Sequence, residues 1–168
     1  MRKSSLLTVL LFAFIFYAPA VYAQGGAKAG QDPSTIRDPD LEKDSLHSLE
    51  VARHYFKLRK AYVAALQRCE EIIAGNPHFA SIDEVLFMAG ESSRALAENK
   101  GKQSSSLYVI FDGNNKRTLK PEEFRDLARE YLSRLLNEYP QSKFRSQSEE
   151  DLRALGGPPK PKTEGGKQ

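Results

Sequence analysis

The segment from Leu49 to Pro77 constrains the fold most, because its apolar residues recur at helical spacing on both sides of a short turn. Steps of three and four residues place such side chains on one face of a helix. The pattern consists of Leu49, Ala52, Phe56, Tyr62, Ala65, Cys69, Ile72 and Pro77. Proline lacks the backbone N–H and clashes with the preceding turn, so it ends the second helix. We predict two packed helices, at about 46–60 and 61–75, that approach closely at a small alanine.

Three further helices are predicted downstream. The third begins at Ser81 in a Ser-x-x-Glu capping box and runs to about residue 99, and Gly90 allows a neighbouring helix to approach. The fourth begins at Pro121, a favourable residue for a first turn, and ends at Tyr139-Pro140. A short last helix follows a second capping box, from Ser146 to Glu149. Residues 101–120 are an insertion between the third and fourth helices.

The second and fourth helices share one spacing. The matched positions are Ala65, Cys69, Ile72 and Pro77 in the first and Ala128, Leu132, Leu135 and Pro140 in the second. Two unrelated amphipathic helices are the alternative reading. A repeated unit that cannot bury its apolar face alone stacks on its neighbours. The fold class predicted is therefore all-α, a tetratricopeptide-like helical repeat of about two helix pairs plus a short capping helix.

The two ends of the chain differ from this helical region. Arg2 and Lys3 precede an apolar run that ends in small residues at Ala23, which is typical of a secretory signal peptide over residues 1–23. An uncleaved N-terminal anchor is the alternative. Because Gln24 is not a cysteine, we expect no lipid attachment there. Residues 24–44 and 157–168 are poor in large apolar side chains, so we predict a disordered linker, a helical domain at 45–156 and a disordered basic tail.

Charge and cysteine content limit the function classes. The chain carries a net charge of +3, and the mature chain would carry about +1, which gives no electrostatic argument for nucleic acid or an anionic membrane. The single cysteine, Cys69, cannot form an internal disulfide, and its place in the helical stripe predicts a buried thiol.

Two stretches resemble a known family. Residues 83–90 read D-E-V-L-F-M-A-G, and residues 130–144 read E-Y-L-S-R-L-L-N-E-Y-P-Q-S-K-F. They are similar to the tetratricopeptide-like repeats of the outer-membrane assembly lipoprotein family BamD, although this chain does not have the family's lipid-attachment cysteine after the signal. The resemblance implies an exported, periplasmic scaffold in outer-membrane protein assembly, associated with the outer membrane through its partners. Other periplasmic tetratricopeptide proteins share these motifs, so an adaptor for division or cell-wall processes is the alternative.

The sequence offers little for chemistry. It has no nucleophile beside a base and no phosphate-binding loop in a recognised context, so we expect no enzymatic activity and no cofactor. Asp112, Asn114 and Glu123 match ligand positions of a calcium loop, which makes a calcium-binding module a remote alternative. Lys116 and Arg117 disagree with that reading, because the loop needs an oxygen ligand and then glycine there. Asp112-Gly113-Asn114 is better interpreted as a turn.

Partner binding is therefore the predicted function, through two polar rows on the first and third helices. Such rows line the concave groove of stacked helix pairs, although a merely solvated face is the alternative. The predicted groove residues are His47, Glu50, His54 and Lys57, followed by Glu84, Phe87, Glu91 and Arg94. We expect an envelope protein or peptide to dock there, with an exposed Phe87 as its anchor.

Overall fold

The computed structural model describes residues 37–159. The predicted signal peptide, residues 24–36 of the predicted linker and residues 160–168 of the predicted tail lie outside this range. The elements in chain order are α1 (Pro39–Arg53), a π turn (His54–Arg59), α2 (Tyr62–Gly75), α3 (Ile82–Ala97), a 3₁₀ turn (Ser105–Leu107), β1 (Val109–Asp112), β2 (Asn115–Thr118), α4 (Pro121–Glu138) and α5 (Arg145–Ala154). The mostly helical fold class is thus confirmed, with one small two-stranded sheet in the described part. No helix within residues 37–159 has the length and apolar character needed to span a bilayer.

Each helix packs on the next one along the chain, and α3 lies at the centre of the core. Twelve of its sixteen residues are buried. The positions that share the repeated spacing are also buried on both of their helices: Ala65, Cys69, Ile72, Ala128, Leu132 and Leu135. Burial raises the pKa of the Cys69 thiol, which keeps it protonated and unreactive. The predicted apolar stripes therefore form the core.

Close helix contact depends on small side chains. Ala65 and Ala128 have no exposed surface. A Cβ atom added to Gly90 of α3 would lie 2.8 Å from both Cγ and Cδ2 of Leu132 on α4. Only a residue without a side chain fits this spacing, so Gly90 sets how near α3 and α4 can come.

The first helix begins earlier than predicted. It starts at Pro39, because the Asp38 carboxylate accepts hydrogen bonds from the N–H groups of Asp40 and Leu41. Glu42 then accepts a bond from the Asn76 side chain, at 3.1 Å, and holds this turn against the end of α2. The predicted linker boundary at residue 44 is wrong for residues 39–44, which are helical.

Neither predicted capping box forms. Ser81 lies at the N-terminus of α3, but its hydroxyl makes no capping hydrogen bond, and Glu84 is engaged by Arg53 instead. The last helix begins at Arg145, one residue before Ser146, and Glu149 pairs with Arg145 at 2.9 Å. A tertiary ion pair engages Glu84 and an ion pair within α5 engages Glu149, so neither glutamate caps its helix.

The insertion contains a β-hairpin. Strands β1 and β2 are antiparallel, with Asp112 opposite Asn115 and Phe111 opposite Lys116. Gly113 has φ of +60°, as the first central residue of a type II′ turn requires. The turn predicted at Asp112-Gly113-Asn114 is confirmed, whereas the flanking strands were not predicted.

Candidate interaction surface

The row predicted on the first helix is exposed to solvent. His47, Glu50, His54 and Lys57 all lie on the surface, and none of their side chains is covered by another helix in the described part of the chain. The core side of α1 is formed by Ser45, Leu49 and Ala52. These four side chains therefore form an open face of mixed charge with two imidazoles, which runs from the middle of α1 into the π turn. We call them the α1 row.

The π turn changes which residues are neighbours at the end of the α1 row. Arg59 Nε donates to His54 Nε2 at 3.3 Å, so the partner of His54 lies five residues on rather than three or four. The Tyr55 carbonyl accepts from the N–H groups of both Lys60 and Ala61. Lys60 ends the turn with φ of +50°. α-Helical periodicity predicted Lys57 as the next residue of the row after His54. In the π turn the neighbour of the His54 ring is Arg59 instead.

A shallow depression lies beside the π turn. It encloses about 390 Å³ and is lined mainly by apolar atoms of Val51, His54, Tyr55, Arg59 and Ala61. Leu58 projects nearby with 70% of its surface exposed. Single π turns occur frequently at functional sites. An apolar depression next to an exposed leucine and a charged row can accommodate a side chain of a docking partner.

The row predicted on the third helix is engaged by the rest of the protein. Arg53 of α1 donates two hydrogen bonds to Glu84, at 2.6 and 2.8 Å. This contact, followed by the charges of Arg53 and Lys143, holds the pKa of Glu84 below its usual value despite partial burial. Lys143 approaches the same carboxylate at 3.9 Å. Glu84 therefore joins α1 to α3 and to the segment before α5.

Phe87 is partly buried, and the prediction that it is exposed is wrong. Its ring stacks on Phe144, with centroids 4.7 Å apart and planes 13° from parallel. Lys143 covers the outer side of this pair, with Nζ 4.9 Å from the Phe144 centroid. The aromatic side chain expected to anchor a partner instead anchors the connection between α4 and α5.

Glu91 and Arg94 are also covered, in this case by α5. Glu91 is 8% exposed and accepts two hydrogen bonds from Arg94, the shorter at 2.6 Å. Asp151 of α5 lies 3.9 Å from the same guanidinium, and its Oδ2 is buried without a hydrogen-bond partner. Burial, and then the charge of Glu91, raises the pKa of Asp151 to about 6. Two carboxylates thus share one arginine at the α3–α5 contact.

The two stretches that carry the family resemblance contact each other. Ser142 Oγ donates to Asp83 at 2.7 Å, next to the Glu84–Lys143 contact, and the Phe87–Phe144 stack follows further along both segments. The start of α3 and the loop after α4 therefore form one continuous interface. These motif residues hold the helices together, so their spacing reflects helix packing.

A second, partly buried polar cluster joins α2, the insertion and α4. The hydroxyls of Tyr108 and Tyr131 donate to the same Glu70 oxygen, at 2.6 and 3.0 Å. Burial raises the pKa of Glu70, while these two hydrogen bonds oppose the rise. Sequence periodicity gave no signal for this cluster, because its members come from α2, the insertion and α4. The cluster attaches the start of the hairpin to the helices.

The calcium-loop residues take other roles. Asp112 and Asn114 lie at the hairpin turn, and Glu123 accepts from the Lys120 N–H at 2.7 Å and from Arg117 at 2.8 Å. A lysine side chain cannot accept a hydrogen bond from the N–H of Glu123, so only the glutamate half of a capping box is present. Glu123 therefore stabilises the first turn of α4. Within residues 37–159, no three His, Cys, Asp or Glu side chains are grouped as a metal site would require.

No protein-family model matches the chain, and comparison with curated proteins and with solved structures gives no significant match.

Proposed function

We propose that this protein is a non-enzymatic, tetratricopeptide-like scaffold that binds a protein or peptide partner along the α1 row and the π turn. The observation that carries the proposal is the contrast between the two predicted rows. The α1 row is open from His47 to Lys57, whereas the equivalent row on α3 is engaged by α1, by the segment before α5 and by α5 itself. A partner would therefore dock on α1.

The helix packing supports a tetratricopeptide-like arrangement. Consecutive helices pack on one another, and buried small residues lie on the packed faces: Ala65, Gly90 and Ala128. A helix at the end of such a stack has one neighbour fewer than a central helix. Among residues 37–159, α1 is the first helix of the stack and α3 a central one, which accounts for the open face of α1.

The α1 row and the π turn would contribute differently to binding. Leu58, Tyr55 and the adjoining depression offer the apolar area on which affinity depends. Glu50 and Lys57 carry opposite charges along the helix, so they would orient the partner more than hold it. The surface suits a segment that places an apolar side chain in the depression and charged groups of both signs along α1.

The cellular role follows from the sequence resemblance. We propose that the exported protein has a BamD-like role in outer-membrane protein assembly, and that its partner belongs to that machinery. An adaptor for division or cell-wall processes is the second candidate, because the same motifs occur in such periplasmic proteins. Calcium binding is disfavoured, since Glu123 is already engaged by Arg117 and by the backbone of Lys120.

Site-specific crosslinking in living cells tests the proposal. A photoreactive amino acid is placed at Glu50 or His54, and at Arg68, an exposed position on α2, as the matched control. We expect positions 50 and 54 to give the same adduct and position 68 to give none. Leu58→Ser should weaken the adduct without changing thermal stability, because the side chain is exposed.

The identity of the adduct distinguishes the two candidate roles. An outer-membrane assembly component supports the first role, and a division or cell-wall protein supports the second. An adduct of equal yield at position 68, or no adduct at positions 50 and 54 in correctly folded protein, would refute binding along the α1 row.

A further inference from the structure

The hairpin is a protrusion with a fixed base. Residues 111–118 are all exposed, and Phe111 near the turn has 74% of its surface in solvent. At the base, Tyr108 is buried and hydrogen-bonded to Glu70, while Ile110 and Leu119 pack against the core. The exposed tip is therefore held at a defined place on the protein.

The two faces of the hairpin are different. Ile110 and its cross-strand partner Arg117 face α4, since Ile110 packs on the core and Arg117 pairs with Glu123 of α4 at 2.8 Å. Side chains alternate along a strand, so Phe111 and its partner Lys116 face the opposite way. The side of the hairpin that points away from the helices thus presents an aromatic ring beside a lysine.

The segment that contains this hairpin carries a local excess of positive charge. Residues 100–120 contain five cations and one acid: Lys100, Lys102, Lys116, Arg117, Lys120 and Asp112. Lys100 pairs with Glu98, and Arg117 pairs with Glu123. In the part of the chain that the structure describes, Lys102, Lys116 and Lys120 have no ion-pair partner. The whole chain carries a net charge of only +3, so its overall charge does not reveal this excess.

We propose that the hairpin binds the surface of an anionic lipid bilayer, with Phe111 in the headgroup region and Lys116 and Lys120 next to lipid phosphates. An aromatic side chain is favourable at a membrane interface, and lysines near an anionic surface each add to the attraction. An apolar tip that projects outwards fits a soft surface, whereas a folded partner would need a matching cavity. Strand addition is disfavoured, because short edge strands with exposed lysines oppose it.

Tryptophan fluorescence tests this site directly, because the chain contains no tryptophan. Phe111→Trp places one probe at the tip, and Leu58→Trp places a matched probe at an equally exposed position on the π turn. The full chain is mixed with vesicles of phosphatidylglycerol and phosphatidylethanolamine, with phosphatidylcholine vesicles, or with an acidic peptide. All variants share residues 1–36, so any lipid contact of that segment is common to both probes.

We expect the Phe111→Trp emission to shift to shorter wavelength, and to be protected from acrylamide, only with the anionic vesicles. Leu58→Trp should give no shift. Adding Lys116→Glu and Lys120→Glu to Phe111→Trp should abolish the shift, as should salt of about 1 M, where the screening length is about 3 Å. Circular dichroism shows whether each variant is folded.

Three results would overturn the proposal. The first is the absence of a shift for folded Phe111→Trp on anionic vesicles. The second is an equal shift on phosphatidylcholine vesicles, which would make the contact independent of the lysines. An equal shift for Leu58→Trp counts in the same way, because the contact would then be independent of the hairpin. The third is a shift produced by an acidic peptide but not by vesicles, which would make the hairpin a protein-docking site.

Discussion

Replacing Gly90 by alanine tests the contact between α3 and α4. The new methyl group would lie 2.8 Å from two carbon atoms of Leu132. Leu132 is fully buried, so its side chain cannot turn into solvent to make room. Overpacking of this kind costs about 1–3 kcal/mol. Alanine also favours the helical state over glycine by about 1 kcal/mol, which partly conceals the packing cost.

Gly75→Ala provides the matched control. Gly75 is the last residue of α2, and an added Cβ there would have no neighbouring atom within 4 Å. This variant gains helix propensity without a packing cost. The difference between the two variants therefore isolates the packing term, and we expect Gly90→Ala to be about 1–3 kcal/mol less stable than Gly75→Ala. For a domain of this size, each kcal/mol corresponds to about 4 °C in Tm.

Urea unfolding followed by circular dichroism measures these differences. The double variant Gly90→Ala with Leu132→Ala removes the side chain that the new methyl group meets. We expect it to be less destabilised than the sum of its single variants, since the two residues are in contact. Equal stability of Gly90→Ala and Gly75→Ala, together with additive effects in the double variant, would show that α3 and α4 do not pack as described.

Three further predictions concern titration and processing. Burial and Glu91 raise the pKa of Asp151 from 3.8 to about 6, so its ionisation lowers the stability of the fold as pH rises through that interval. Asp151→Asn should therefore stabilise the protein near neutral pH and lose this advantage below about pH 4. An advantage that does not change with pH would contradict the assignment. Glu70→Gln keeps an acceptor for both tyrosine hydroxyls, so its urea midpoint at neutral pH should equal or exceed that of the wild type. Glu70→Leu leaves both hydroxyls without an acceptor and should lower the free energy of unfolding by about 1–3 kcal/mol. Equal stability of the two variants would refute the cluster's role. Mass spectrometry of the exported protein should give an N-terminus at Gln24, and a retained Met1 would contradict the signal peptide.

Helix ends and turns marked by proline and glycine could be predicted well from local sequence. The fourth helix was expected between Pro121 and Tyr139, and it spans Pro121 to Glu138. Prolines act through the backbone of their own turn, so their effect needs no knowledge of distant residues. The same is true of Gly113, whose positive φ forms the hairpin turn.

Features that depend on residues far apart in the chain could not be predicted. Phe87 was expected to be exposed because its neighbours on α3 are polar, but Phe144, from the loop after α4, covers it. Helix α1 extends back to Pro39 partly through the Asn76–Glu42 contact, which joins residues 34 positions apart. Such contacts form only when the helices pack, and helical periodicity carries no information about them.

The candidate surface was predicted in part for the same reason. Exposure of His47 and Glu50 follows from the apolar stripe on the opposite side of α1. The replacement of Lys57 by Arg59 as the neighbour of His54 follows from one π turn, for which no local sequence signal is evident. Net charge gave no indication of the proposed membrane contact, because the cations near Phe111 are balanced by acids elsewhere in the chain.

Stacking each helix on the next has a consequence for native-state hydrogen exchange. When packing is mainly between neighbours, the ends of a stack can open without the centre. Helix α5 has ten residues and two buried side chains, Ser148 and Leu152, whereas α3 is covered on nearly all sides. Amides of α5 should therefore exchange through a low-energy local opening, and those of α3 only through global unfolding. Protection would then rise from α1 and from α5 towards α3, so the centre of the described fold should be its last region to open.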